Sequence, residues 1–399
     1  MRSVGVTERR ARLAARHRLM PGRRAGDVEA VTAAMVGLHA TDPVSVYLSA
    51  RARTEHMSVS DMDRALYSER SVVKHLAMRR TLFVFPAETL DVVQAGASAR
   101  VAAAERKRLV RAVEKAGLFR DGEAWLKEAC DAVLDALAGG REASWSQLRD
   151  ELSVLGGSIS YGEGRTWGGD VPVGPRVLTI LSASGLLVRA SNAGGWTVSR
   201  PRWTLMSSWI GRDLTPPGQP EGLAALVRRW LWAYGPGTEQ DLKWWLGSTL
   251  AGVRRALQDV GAVEVDLEGG SGYLLPDDVE PVPAVEPWAA LLPGLDPTVM
   301  GWSDREWYLG DHRAHVFDRN GNAGPTAWWD GRIVGGWHQT PAGEIEVEPL
   351  EEVDARARQA LDAEAGRLTD WLAGVRVTHR FPSPLMRART GTHPNTVRP

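Results

Sequence analysis

His39, Thr41 and Asp42 fall within four consecutive positions, immediately before Pro43. An imidazole that is neutral near pH 7 can orient a water molecule and accept its proton. The Thr41 hydroxyl can hold that water as an acceptor. The Asp42 carboxylate can orient His39 or face a centre that develops positive charge. The trio is chemically adequate for directing water at a cationic carbon. The same residues also have an ordinary reading: His39 as a helix-end histidine favoured by the dipole, and Asp42 as the opening of a turn before Pro43. Both readings stand at this level.

Four arginines lie close by. Arg51 and Arg53 follow the His-Ala-Thr-Asp segment, and Arg79 and Arg80 sit at the start of a strand. These are the candidate phosphate contacts, either by ion pairing or by entry into a minor groove. The alternative for each is a solvated surface cation. Other chemistry is poorly represented. His312-x-x-His315 supplies two ligands where a metal site needs more, so no metal is expected. There is no Gly-x-x-x-x-Gly-Lys-[Ser/Thr] and no Gly-x-Ser-x-Gly, which disfavours nucleotide triphosphatases and serine-elbow hydrolases. No cofactor is expected. Cys130, the one cysteine, sits mid-helix among apolar residues and reads as inert core; a disulfide within the chain is excluded, and a reducing cytoplasm is expected.

The elements that must position these residues belong to a chain of 399 residues, 43% hydrophobic and 24% charged, an ordinary globular composition. No apolar run approaches the ~18 residues of a membrane span. The Arg-rich first 24 residues lack the apolar core of a secretory signal. The net charge of −1 hides a polarity: residues 1–120 carry 22 Lys+Arg against 12 Asp+Glu, and the remainder carries 26 against 37. A basic first third predicts a polyanion-binding face. Seventeen tryptophans stand against five phenylalanines; some must be core, and others could line a groove.

Periodicity predicts helices at 7–18 and 27–39, a further helix opened by Ser60 or Asp61, a helix at 71–79, a strand at 81–85 closed by Pro86, and one or two helices to 117. A second group follows: a helix at 123–138, a short helix after Ser144, a Gly-rich insertion 156–174, a helix at 175–184, then a hairpin of 185–190 and 196–198 turned by Asn192-Ala-Gly-Gly. A third group repeats this plan with helices at 220–234, 239–246 and 249–260 and a hairpin spanning 263–275. Helix, helix, helix and two-stranded wing is the order of a winged helix, and three such units predict a duplex DNA surface. Trp167, in the insertion, could stack on a base or pack beneath its own loop. Residues 276–287 read as a Pro-rich linker. Short strands at 289–292, 314–317, 326–329, 332–336 and 344–347 predict a small β-barrel or sheet, followed by a helix at 351–373, a strand at 375–379 and a frayed basic tail from Met386.

Several segments resemble one family. Met35-Val-Gly-Leu-His-Ala-Thr-Asp-Pro, with Tyr47-Leu-Ser-Ala-Arg-Ala-Arg, is similar to the N-terminal signature of the AlkZ-type bacterial DNA glycosylases, a winged-helix DNA-binding family. His75-Leu-Ala-Met-Arg-Arg-Thr-Leu-Phe-Val-Phe-Pro resembles its Met-Arg-Gly-Thr wing segment. Leu291-Leu-Pro-Gly-Leu-Asp and Asp330-Gly-Arg-Ile-Val-Gly-Gly-Trp resemble its C-terminal barrel. The resemblance implies an α+β, mainly helical, C-shaped protein: three tandem winged-helix units (1–120, 121–215 and 216–280) and a β-barrel-like domain over 281–399. It implies excision of alkylated purines from double-stranded DNA, with unhooking of some interstrand crosslinks, by a monomer without cofactor. The family's Gln-x-Gln or Gln-x-Asp motif falls here on His39-Ala40-Thr41, so the expected catalytic residues are His39, Thr41 and Asp42. The alternatives are a non-catalytic DNA-binding protein of the same fold, and a protein–protein module using a Trp-rich groove.

Overall fold

The computed structural model describes residues 1–161 and 169–390; Trp167 lies outside the described residues. The fold is α+β. Its internal contacts divide the chain into two compact units, one formed by residues 1–65 with 227–399 and one by residues 66–226. This division is coarser than four consecutive segments, because the first unit is discontinuous in sequence.

In the discontinuous unit, Thr238 caps the helix Glu239–Leu246 in a reciprocal box with Asp241, and Thr249 caps Leu250–Asp259. The strands Val263–Leu267 and Gly270–Leu274 pair antiparallel, and Ser3–Val4 adds a parallel strand to them. Val4, Val265, Leu267 and Leu274 close a small apolar core. Leu231, Leu246 and Leu257 are buried, as the helical periodicity requires. The tryptophans are mainly interior: Trp230, Tyr234, Trp302, Trp307 and Tyr308 form one ring cluster.

The C-terminal sheet is not a closed barrel. Ala289–Leu292, Thr326–Trp329, Arg332–Gln339 and Ile345–Pro349 form an open antiparallel sheet in that order. The helix Ala355–Leu372 packs on it with Ala357, Leu361, Ala365, Leu368 and Leu372 buried, and a sheet covered by a helix has no need to close on itself. Two expected strands are absent. Arg313–Val316 is a helical turn. Residues 375–379 are irregular, because the Gln339 side chain substitutes for a ladder: it accepts from the Val377 N–H at 3.1 Å and donates to the Val375 carbonyl at 3.0 Å. Of the tail, Pro384–Thr390 is a helix, and residues 391–399 lie outside the described residues. The Pro-rich segment is tied down at Asp278, which receives Arg12 and Arg16.

In the other unit, Val72–Ala77 is a strand, not the expected helix. It pairs with Thr81–Pro86 from Val72 opposite Pro86 to Ala77 opposite Thr81. The apolar spacing of 71–79 fits either period, and the β-branched pair Val72-Val73 with a ready partner strand decides it. Next come the helices Ala99–Lys115, Gly122–Ala136, Trp145–Glu151 and Gly174–Ala183, whose Leu109, Leu126, Val133, Leu148, Val177 and Leu181 share one core. Gly174 lies under the Trp145 ring, where a Cβ would come within 2.1 Å. The hairpin strands are Leu187–Asn192 and Pro201–Leu205. The second begins later than 196–198, because the Asn192 amide staples the intervening loop, donating to Val198 O and accepting from the Arg200 N–H.

Candidate active site and phosphate contacts

The helix Pro43–Arg51 is the platform. Its residues Val44 to Arg51 are all buried. Ser45 Oγ donates to the Gly294 carbonyl at 2.6 Å, and Ser49 Oγ donates to Asp296 at 2.7 Å. Just beyond it, Arg53 grips Asp296 through both terminal nitrogens, at 2.7 and 2.8 Å. Arg53 also donates to Thr298 Oγ1, and His17 Nδ1 takes the Thr298 hydroxyl at 2.8 Å. His17 Nε2 must donate to the Ala233 carbonyl, so the ring is neutral. Burial, then the Arg53 charge, holds its pKa well below the usual imidazole range.

Arg53 is therefore not a phosphate contact. It is 0% exposed, and its charge is committed to an internal carboxylate. Four more arginines of the first third meet acids from the far part of the chain: Arg12 and Arg16 meet Asp278, and Arg24 and Arg51 face Glu364.

Asp42 stands at the N-terminal end of the platform helix, with Pro43 as first helical residue, yet its side chain makes no cap. The carboxylate turns instead to the C-terminal segment. Oδ2 accepts the Arg380 N–H at 3.2 Å and lies 3.6 Å from His379 Nδ1. Asp42 is 1% exposed, and its Oδ1 has no hydrogen-bond partner among the described residues. His379 is buried edge-on against Trp337. His39 is not a helix-end residue; it closes the two-residue strand Leu38–His39. Its Nδ1 accepts the Thr41 N–H at 3.5 Å. Thr41 is half-buried. The chain itself brings His39, Thr41 and Asp42 together. His379 and Arg380 were not among the sequence candidates, and no spacing links them to Asp42.

Arg79 and Arg80 occupy the turn between Val72–Ala77 and Thr81–Pro86; Arg80 is exposed and meets Glu105 at 3.0 Å. Arg51 is buried. His312 pairs with Glu351, and the described residues contain no group of three that could hold a metal. The half-buried Cys130 thiol is pushed up to about 11 by desolvation, in keeping with an inert side chain.

A family model described as DNA glycosylase AlkZ-like matches residues 32–371. The chain belongs to the AlkZ-like DNA glycosylase family. The match takes in His39, Asp42 and Arg51 and stops short of His379 and Arg380. The solved structure of Streptomyces sahachiroi DNA glycosylase AlkZ has the same fold, with a TM-score of 0.73 and 22% identity over 95% of this chain and 99% of that one. A curated interstrand DNA cross-link repair glycosylase of the same organism is 28% identical over 202 residues, or 48% of this chain. That alignment spans about half, 53%, of the curated relative's length. No helix among the described residues of this AlkZ-like chain is long and apolar enough to cross a membrane.

Proposed function

We propose that this protein is a monofunctional DNA glycosylase that removes alkylated purines from double-stranded DNA, and that its helix–helix–helix–hairpin groups act as winged-helix units. An N7-alkylated purine already carries positive charge, so the C1′–N9 electron pair passes to the base without acid help. The sugar left behind has oxocarbenium character. Water then bonds to C1′ and loses a proton.

The observation that carries this reading is the Asp42 carboxylate, buried and held by the Arg380 N–H, with one oxygen left unpartnered. A carboxylate so placed can stabilise the cationic sugar and take the water's proton. His39 and Thr41 are the side chains that orient the water. Arg79 and Arg80 are the proposed phosphate contacts. The protein acts without cofactor, as a monomer. Because one relative is named for cross-link repair, a cross-linked purine is the second substrate to test.

The deciding experiment is single-turnover release of N7-methylguanine from a duplex by the wild type and by Asp42→Asn. The expected result is release by the wild type and a loss on the order of 10²–10⁴-fold in the variant, with duplex affinity kept. Duplex binding without release by the wild type would favour a non-catalytic lesion sensor. Absence of duplex binding would overturn both.

A further inference from the structure

Away from Asp42, the discontinuous unit contains a cavity of about 480 Å³ bounded by Arg24, Arg51, Arg367, Met57, Ser58 and Trp371. The Arg51 side chain is 10% exposed, and its guanidinium makes no hydrogen bond to any described residue. Its ion-pair partner is Glu364, at 3.8 Å, beyond hydrogen-bond reach. Arg24 is 8% exposed and donates to Glu364 at 2.9 Å, but its Nε is buried without a partner. Arg367 pairs with the same carboxylate from the helix Ala355–Leu372.

Three guanidiniums therefore share one buried carboxylate. The other acids, Glu55 and Asp370, stand exposed at the rim, and Glu55 is 3.9 Å from Arg24. Burial first, and then Arg24 and Arg367, bring the Arg51 pKa down to about 10. The cavity walls are fixed by hydrogen bonds. The Ala25 N–H donates to the Arg53 carbonyl at 2.7 Å, fixing Arg24, and Trp371 Nε1 donates to the Met57 carbonyl at 2.6 Å.

We propose that this cavity is a phosphate-binding pocket in which Arg51, Arg24 and Arg367 donate to one tetrahedral phosphate group. Planar guanidiniums match phosphate oxygens two at a time, and the one buried carboxylate leaves most of the three positive charges uncompensated. The phosphate is either a DNA backbone diester or a free phosphate or phosphate monoester. The inference goes beyond the glycosylase reading, and its test needs no base release.

The test uses the full chain, with Arg51→Gln and the more exposed Arg367→Gln as a variant that keeps the fold. Thermal unfolding is followed in inorganic phosphate against chloride at matched ionic strength, and binding of an undamaged duplex is followed against salt. A saturable rise in Tm of a few degrees in phosphate, lost in both variants, supports the pocket. If the occupant is backbone phosphate, Arg367→Gln also flattens the log–log salt slope by about one; if it is a free phosphate, that slope stays unchanged. A slope change without a phosphate-dependent Tm also supports the pocket, with the diester as occupant. A phosphate effect that persists in both variants, or neither effect in any protein, overturns the proposal.

Discussion

Arg53 and Asp296 form a two-pronged ion pair at 2.7 and 2.8 Å with both side chains 0% exposed. The pair joins the end of the platform helix to the segment after Leu292, and so sets where Asp42 stands at the helix's other end. Removing one partner leaves a buried charge alone. Arg53→Met and Asp296→Asn should each destabilise the protein by about 3–5 kcal/mol, while the double variant should recover much of that. Urea unfolding of the four proteins checks the cycle. Full additivity, with no recovery, would show that the two groups do not act as a pair.

His75 gives a pH dependence in the other unit. Gln94 Nε2 donates to the Ala183 carbonyl, so Gln94 Oε1 accepts from His75 Nε2–H. Burial lowers its pKa to about 4, against a smaller raising effect of Gln94. The folded pKa lies below the unfolded value of about 6.5, so between the two the unfolded chain binds more protons. The contribution is fully present above about pH 6.5 and is lost as pH falls toward 4, amounting to about 3 kcal/mol. Buried His17 acts in the same direction. His75→Phe should reduce the drop in stability between pH 7 and pH 4.5, measured by urea unfolding. An unchanged drop would place the titrating group elsewhere.

The proposed roles of Asp42 and His39 separate by substitution. Asp42→Asn keeps an oxygen for the Arg380 N–H and loses the charge, so it should fold normally and lose base release. His39→Gln keeps a side-chain donor for a water and should retain partial release, whereas His39→Ala should retain less. If Asp42→Asn releases base at the wild-type rate, the carboxylate has no part in the chemistry. If His39→Ala loses only stability, the histidine is structural.

How far the sequence could be read follows from where each interaction lies. Helices with their own caps were legible: Thr238 with Asp241, and Ser144 with Gln147, are local hydrogen bonds four residues long. The hairpin at 72–86 was half legible, because the strand period of Val72–Ala77 needed its partner to win. The open sheet was misread as barrel-like, since strand spacing says nothing about whether a helix covers the face. Long-range ion pairs were not legible either. Arginines of the first 65 residues meet acids at 278, 296 and 364, and such pairing leaves no local pattern. His39 and Asp42 were visible as residue types, but the His379–Arg380 segment that fixes the carboxylate comes from the far end of the chain.

The hairpin tip carries the last prediction. Arg79 and Arg80 both have left-handed backbones, with φ of 54° and 62°. Such a conformation costs a side-chain-bearing residue roughly 1–2 kcal/mol, which glycine does not incur. Arg80 moreover stands where the family's resembling Met-Arg-Gly-Thr segment has glycine. Its ion pair with Glu105 is more than half exposed on the arginine side and offsets little of that strain. Two cations held in a strained conformation at this turn fit a contact with phosphate. Arg79→Gly with Arg80→Gly should therefore leave Tm unchanged or raise it, while weakening duplex binding and flattening the log–log salt slope by about two. The opposite signs are what make the test decisive. A purely structural pair of arginines would lose stability on substitution and leave the salt slope of duplex binding untouched.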